Sequence, residues 1–195
     1  MTKLAHLRLR LTPRAGSQPG PTDVVRTTVG RVFERPARGR AVADQQQGAI
    51  HEIADNLFDV PAMAQQCLAR HWMERSPGER QEFVQLLKGL LARAYVNQLK
   101  SYAGGRIDYT SETVDGQLAT VRCKVTISQR RDIAISYRLH RVGARWAVYD
   151  VSIDGASFLV SYRDRLHRMI DSSSYADLIW RMRLKDVETA AAQPA

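Results

Sequence analysis

The stretch LATVRCKVTIS, residues 118–128, decides the fold because apolar and polar side chains alternate along its whole length. One face is apolar and the other is polar: Val121, Cys123, Val125 and Ile127 against Thr120, Arg122, Lys124 and Thr126. Alternation of this kind is typical of a β-strand with one buried face. The stretch therefore predicts a strand in a sheet that is covered on one side.

The alternation continues on both sides of this stretch. Further strands are predicted at 106–114, 132–142 and 145–154, with turns at Asp115-Gly116, at residues 129–131 and at Gly143. The third strand places four apolar residues inward: Ile133, Ile135, Tyr137 and Leu139. We therefore expect a four-stranded antiparallel meander that ends at Gly155.

The fourth strand, RWAVYDVSID, departs from simple alternation. Trp146 and Val148 fall on one face, whereas Tyr149, Val151 and Ile153 fall on the other. A strand that is apolar on both faces is covered on both sides, which is our expectation here.

Helical spacing flanks the sheet. Before the sheet we predict four helices. The first spans 23–34 with Asp23 as N-cap, and the second spans 45–57. The third begins after an N-cap at Asp59, and the fourth spans 77–102 after the capping box that begins at Ser76. After it we predict helices at 156–170 and at 175–184, the last one capped by Ser173 or Ser174. This order indicates an α+β domain in which several helices cover a curled antiparallel sheet.

The ends of the chain differ in composition from its centre. Residues 1–21 are rich in Pro and Gly and are predicted to be a linker-like arm, and residues 185–195 are predicted to be a flexible tail. Residues 22–184 then form a single domain. The first residues alternate Leu with Arg, so no apolar segment of a signal peptide is visible there.

Composition restricts the classes of function. The 195 residues carry a formal net charge of +9, which suggests an acidic partner without selecting nucleic acid, lipid or protein. No apolar run reaches the ~18 residues of a transmembrane helix. Cys67 and Cys123 lack metal-site spacing and are interpreted as separate buried thiols, or as one disulfide in an exported chain.

Candidate catalytic residues are few. His71 next to Trp72 is more simply a hydrogen-bonded residue at a helix end. Asp150 next to Tyr149 suggests proton transfer on an enzyme of cone-shaped α+β fold, with Tyr137 as a neighbour, but a cap or an Arg ion pair is the simpler explanation of Asp150 and is the one we favour. The surplus of Leu, Ile, Val and Tyr fits either a packed core or an apolar pocket between helices and sheet.

Five stretches in this order resemble the MlaC family of periplasmic phospholipid-binding, or toluene-tolerance, proteins. They are DVVRTTV at 23–29, EIADNLFDVPAMAQQCLARHW at 52–72, SPGERQEFVQLLKGLLARAY at 76–95, WAVYDVSIDGASFLVSYR at 146–163 and SSSYADLIWRMR at 172–183. The motif VYDV-x-I-x-G-x-S is the most specific part. Residues 34–48, rich in Arg, Gly and Gln, depart from the family pattern.

The resemblance implies a lipid carrier without enzymatic activity, which ferries phospholipid through the periplasm between an inner-membrane ABC-transporter complex and an outer-membrane lipoprotein complex. We expect a monomer without metal or cofactor, because the sequence has no metal-ligand cluster. Its dispersed Arg residues, without exposed aromatic rings, predict no nucleic-acid binding. Twelve positions would line the lipid pocket: Leu87, Leu91, Tyr95, Val125, Ile135, Tyr137, Val151, Ile153, Leu159, Tyr162, Leu166 and Ile170. Alternation predicts that Ile135 and Val151 point into it from neighbouring strands.

Three alternatives stay open at this point. A branch of the same family is associated with hopanoids, so the cargo is either phospholipid or another apolar ligand. The others are the small enzyme described above and a basic nucleic-acid-binding module, which would need exposed aromatic rings among its Arg and Lys side chains.

Overall fold

The computed structural model describes residues 18–33, 55–102, 105–127 and 132–191. It shows an α+β domain, as predicted, with an antiparallel sheet. The α-helices that lie wholly within the described part are α1 (Pro21–Phe33), α2 (Val60–Leu68), α3 (Pro77–Ser101), α4 (Phe158–Ser172) and α5 (Tyr175–Ala191). A short 3-10 helix, Ala69–Trp72, follows α2.

The sheet has five strands in the order in which they occur in the chain. They are β1 (Arg106–Asp115), β2 (Leu118–Thr126), β3 (Ile133–Val142), β4 (Arg145–Ile153) and β5 (Ala156–Ser157). Each neighbouring pair is antiparallel. The meander of the first four strands thus follows the predicted order.

The prediction that the sheet ends at Gly155 with four strands is wrong. Asp154 and Gly155 have φ angles of 48° and 84°, the left-handed conformation that a two-residue type I′ hairpin requires at both positions. The chain therefore reverses, and Ile153 pairs with Ala156. Asp154-Gly155 carries the same Asp-Gly hairpin signal as Asp115-Gly116.

The expectation that β4 is covered on both sides is confirmed, since Ala147 and Val148, which alternate, are both buried. The predicted division of its apolar residues between the two faces is wrong. Arg138 pairs with Asp150 and Leu139 pairs with Val148, so Tyr149 is an extra residue in a β-bulge. A bulge of one residue resets the alternation. Val148 consequently shares the inner face with Val151, whereas Tyr149 contacts Arg138 and His140 on the opposite face.

Two of the predicted helix starts are confirmed. The Asp59 carboxylate accepts a hydrogen bond of 3.1 Å from the Ala62 N–H and caps α2. Ser76 and Glu79 form the reciprocal capping box of α3, with the Ser76 N–H 2.8 Å from the Glu79 carboxylate. These two caps fix where the helices that cover the sheet begin.

Other helix boundaries differ from the predictions. Helix α1 begins at Pro21, and Asp23 is not its N-cap but lies in the first turn, where its carboxylate accepts from the Gly20 N–H. Helix α5 is preceded by Ser174, whose hydroxyl accepts from the Asp177 N–H, and extends to Ala191, past the predicted end at 184. Most of the predicted arm, most of the predicted helix 45–57 and residues 34–48 lie outside the described residues.

The core lies between the helices and the inner face of the sheet. Helix α1 contacts β1, β2 and β4, while α2 and α4 contact β4 and α5 packs against α3 and α4. The inner face of the sheet contributes buried apolar side chains from three strands: Val121, Cys123, Val125, Ile135, Tyr137, Leu139, Val148 and Val151. Within the described residues, no helix combines the length and the apolar character needed to cross a bilayer.

Candidate functional site

A cavity of about 440 Å³ lies between α2, α3 and α4 and the last two strands of the sheet. Its walls are mainly apolar or aromatic, and they include few polar groups. The lining residues are Phe58, Met63, Leu91, Ala94, Tyr95, Gln98, Val151, Ile153, Ala156, Ser157, Phe158, Ser161 and Tyr162. An apolar cavity with a few polar side chains is the usual form of a site for an organic ligand.

The cavity has a closed apolar end and an open polar end. Phe58, Met63 and Leu91 are at most 4% exposed, so they form the closed end. Ala156 and Ser161 are exposed. The mouth therefore lies where β5 and the start of α4 meet the solvent.

Aromatic contacts fix the wall that α3 contributes. The rings of Phe58 and Tyr95 meet edge to face, with their centroids 5.2 Å apart. The Tyr95 hydroxyl shares a hydrogen bond of 3.0 Å with the Tyr137 hydroxyl. Burial raises the pKa of both tyrosines, so both hydroxyls stay protonated at neutral pH.

A second aromatic pair forms the wall that α4 contributes. The rings of Phe158 and Tyr162 stack with their centroids 4.1 Å apart. The guanidinium carbon of Arg165 lies 5.8 Å from the centre of the Tyr162 ring, and its side chain is exposed. A cation therefore lies beside one of the lining rings, where it is available to an anionic group.

Asp150 anchors the start of α4 to the sheet. Its carboxylate accepts a hydrogen bond of 2.8 Å from the Ser157 hydroxyl and one of 3.0 Å from the Leu159 N–H, and it lies 3.9 Å from an Arg138 nitrogen. The expectation of a cap or an Arg pair is thus confirmed. Tyr137 pairs with Val151 and bonds to Tyr95, so the Tyr137–Asp150 pair considered for proton transfer does not form.

The remaining candidate groups lie away from the cavity lining. His71 is a buried residue of the 3-10 helix, and its imidazole accepts a hydrogen bond from Arg70. Cys67 and Cys123 are buried free thiols, and burial raises the pKa of each to about 12. Among the described residues, no cluster of three or more His, Cys, Asp or Glu side chains has the arrangement of a metal site.

The structure brings five of the twelve predicted pocket residues together in the cavity wall: Leu91, Tyr95, Val151, Ile153 and Tyr162. Six others are buried in the surrounding core: Leu87, Val125, Ile135, Tyr137, Leu159 and Leu166. Ile170 is half-buried against that core. Ile135 pairs with Ile153, and the cavity lies at β4 and β5 rather than at β3. Contact of any of the twelve with lipid stays a prediction.

Several lining residues were missed from the sequence. Phe158 lies four residues before Tyr162 on one helix face, and that spacing would have identified it. Phe58 reaches the cavity because it forms an isolated bridge to Val148, a long-range contact with no local signal. Gln98 is polar, and hydrophobic periodicity selects only apolar positions.

Comparison with solved structures finds a protein of similar fold. A phospholipid-binding protein from Ralstonia solanacearum, solved in complex with a phospholipid, superposes with a TM-score of 0.69 at 19% sequence identity. The superposition covers 87% of this chain and 96% of that one. A search of curated proteins finds no match.

The family comparison covers most of the chain. The family model described as "MlaC protein" matches residues 23–184, which contain every described strand and the cavity-lining helices. The matched region includes the Asp150–Ser157 anchor and both walls of the cavity. This chain therefore belongs to the MlaC family.

Proposed function

We propose that this protein is a phospholipid-binding carrier. Its apolar cavity holds lipid acyl chains, and the head group lies at the mouth of the cavity in contact with water. The observation that carries the proposal is the cavity of about 440 Å³ with buried apolar walls and an exposed mouth. Each methylene removed from water contributes about 0.8 kcal/mol, so a chain in this cavity is stabilised without directional contacts. Membership of the family and the lipid-bound Ralstonia structure support the same ligand class.

The proposed role is transport rather than catalysis. Among the described residues, the cavity lining contains no carboxylate or imidazole, and its titratable groups are Tyr95 and Tyr162. The buried carboxylate of Asp150 already accepts two hydrogen bonds from the start of α4. These contacts give Asp150 a structural role. The described cavity lining therefore has no candidate residue for general acid–base catalysis.

In this proposal the carrier is a periplasmic monomer that takes lipid from an inner-membrane ABC-transporter complex and delivers it to an outer-membrane lipoprotein complex, or moves it the other way. A bilayer and the cavity offer an acyl chain similar apolar surroundings. The free energies of the lipid in the carrier and in the membrane are then nearly equal. The docked partner complexes would determine the direction of lipid transport.

The basic surface fits this role better than it fits nucleic-acid binding. Described Arg side chains lie over the protein's own aromatic rings, such as Arg138 over Tyr149 at 5.1 Å and Arg141 over Trp146 at 4.6 Å. Those ring faces are covered and do not offer platforms for bases to stack on. Affinity for random DNA that stayed tight at physiological salt would contradict this interpretation.

Native mass spectrometry of protein purified without detergent tests the proposal directly. We expect bound lipid at close to one equivalent, identified after organic extraction. A transfer assay then incubates loaded protein with acceptor vesicles carrying the outer-membrane complex and measures lipid movement. Lipid-free protein that also fails to load from vesicles would refute lipid binding, whereas loading without partner-dependent transfer would refute the carrier role alone.

A further inference from the structure

We infer that residues 7–11, LRLRL, pair as an additional strand with the free edge of β1 and cover the outermost part of the core. This pairing is independent of the proposed lipid-binding function. The family match begins at residue 23, so the inferred strand lies outside the part of the chain that matches the family. Residues 1–17 also lie outside the described part of the structure.

Strand β1 has one free edge. The strand order ends at β1, and no backbone group of the described residues pairs with its outer edge. With ten residues, β1 is as long as any other strand of the described sheet. The N–H and C=O groups along such an edge are a template for a further strand.

The apolar side chains on the inner face of β1 are incompletely covered. Ile107, Tyr109 and Val114 pair with three residues of β2 that are at most 5% exposed. Ile107 and Tyr109 are nevertheless only half-buried, and Val114 is 51% exposed. Burial thus decreases from β2 to β1, towards the free edge. A neighbouring strand with apolar side chains on its inner face would complete this part of the core.

The sequence before α1 contains a stretch with the required alternation. Leu7, Leu9 and Leu11 fall on one face of an extended chain, whereas Arg8 and Arg10 fall on the other. With the leucines turned towards the core, they would cover the half-buried inner face of β1. The two arginines would then lie on the outer face of the sheet, in water.

Charge favours the same orientation. Asp115 pairs with Leu118, which lies on the outer face of β2, so the Asp115 carboxylate belongs to the outer face of β1. Both residues are exposed. In the orientation with the leucines inward, Arg10 shares this face with Asp115. Opposite charges on neighbouring strands stabilise their pairing.

The chain before α1 starts close enough to reach this edge. The Gln18 side chain accepts a hydrogen bond of 3.2 Å from Arg141 on β3, and the Thr22 N–H donates to Glu112 on β1. Seven peptide steps join Leu11 to Gln18 and span up to about 25 Å. The two strand spacings from β3 to β1 amount to about 10 Å. Because this entry lies near the hairpin end of β1, residues 7–11 would run parallel to β1.

The test is amide hydrogen exchange of the full-length protein, followed by NMR at the level of single residues. Alternate N–H groups of residues 7–11 should donate to β1 and exchange at least tenfold more slowly than in an unstructured chain of the same sequence. The N–H groups of β1 that point away from β2 should be protected as well. Nuclear Overhauser contacts should connect the leucines to Val114.

Matched variants separate the strand from the rest of the arm. Leu9→Asp places a carboxylate on the apolar face, and should bring residues 7–11 to within threefold of the unstructured exchange rate and deprotect the edge of β1. Ala15→Asp makes the same charge change outside the inferred strand and should leave exchange unchanged. Leu9→Ile keeps an apolar side chain and should also keep the protection. Unchanged exchange of the amides between β2 and β3 shows that the domain stays folded in each variant.

Three results would overturn the inference. The first is exchange of residues 7–11 at the unstructured rate in the unmodified protein. The second is protection of the β1 edge that survives Leu9→Asp, because another segment then covers the edge. The third is protection that disappears on hundredfold dilution, which would assign the edge to a second copy of the chain. Protection that is independent of concentration and is lost only in Leu9→Asp supports the inferred strand.

Discussion

The hydroxyl oxygens of Tyr95 and Tyr137 lie 3.0 Å apart and join a cavity wall to the middle strand of the sheet. Tyr137 is 1% exposed and does not line the cavity, whereas Tyr95 does. This hydrogen bond therefore links the core to the cavity wall, which is the surface that a bound lipid would contact. Its loss should affect both the stability of the fold and the shape of the site.

The first prediction concerns this pair. Tyr137→Phe removes one hydroxyl and leaves the buried Tyr95 hydroxyl without its partner, so it should lower the free energy of unfolding by about 1–3 kcal/mol. Tyr95→Phe should act similarly, and the double variant should cost less than the sum of the two. Urea unfolding measures all three. Tyr149→Phe, on the opposite face of the sheet, is the control and should change stability by about 0.5 kcal/mol or less; strict additivity of the two single changes would show that the hydrogen bond contributes nothing.

The second prediction concerns the anchor of α4. Asp150→Ala leaves the Leu159 N–H and the Ser157 hydroxyl without their acceptor, and we expect a loss of about 2–3 kcal/mol in the free energy of unfolding. Because Ser157 and Phe158 line the cavity, lipid retention should fall as well. Asp164→Ala removes an exposed carboxylate from the same helix and should cost about 1 kcal/mol or less. Equal effects of the two changes would argue against an anchoring role.

The third prediction distinguishes cavity from core. Val151 lines the cavity, whereas Val125 is fully buried in the same sheet outside it. Val151→Trp should block lipid loading and cost little stability in the empty protein, while Val125→Trp should destabilise by about 1–3 kcal/mol or more through overpacking. Melting curves of delipidated protein and a loading assay measure the two effects. Strong destabilisation by Val151→Trp without a separate loss of loading would mean that this surface is core.

The fourth prediction concerns alkaline pH. Burial raises the pKa of Cys67 and Cys123 from 9.0 to about 12, so the folded protein keeps both thiols protonated where the unfolded chain ionises them. Their contribution to stability is complete below pH 9 and is lost as pH rises from 9 towards 12. At pH 10 each thiol should lower the free energy of unfolding by about 1.4 kcal/mol relative to neutral pH.

Replacing both thiols isolates this effect. The Cys67→Ala/Cys123→Ala variant should lose less stability between pH 8 and pH 10 than the parent, by about 3 kcal/mol for the two sites together. Buried tyrosines add their own loss equally in both proteins. Comparing slopes rather than absolute values removes the cost of the smaller side chains, and parallel slopes would contradict the prediction.

Local signals predicted most of the fold. Three of these signals depend only on neighbours within a few residues: the alternation in β2, the capping box at Ser76 and the N-cap at Asp59. The structure contains all three features. Strand β5 was missed although Asp154-Gly155 signalled it. The bulge at Tyr149 could not be predicted, because it depends on the register with β3 rather than on the sequence of β4 alone.

The site was predicted less completely than the fold. Alternation identified Val151 and Ile153, but it could not show that the sheet is closely packed at Ile135 and open at β4. That difference depends on where α2 and α4 meet the sheet. Phe58 entered the wall through a bridge between distant segments. A sequence pattern shows which side chains face inward, and the packing of helices decides which of them border empty space.

The bulge at Tyr149 has a consequence for how this strand can change during evolution. Loss of the codon for Tyr149 would join Val148 directly to Asp150, and Val148 and Val151 would keep their partners Leu139 and Tyr137, because Tyr149 is the residue without a partner in β3. The inner face of β4 would therefore stay inward, and only the contacts of Tyr149 on the opposite face would be lost. A one-residue deletion in the regular part of β4 would instead turn one half of the strand to the opposite face. Homologues that lack a residue at the bulge should therefore keep the cavity, whereas homologues that lack one elsewhere in β4 should carry a compensating change.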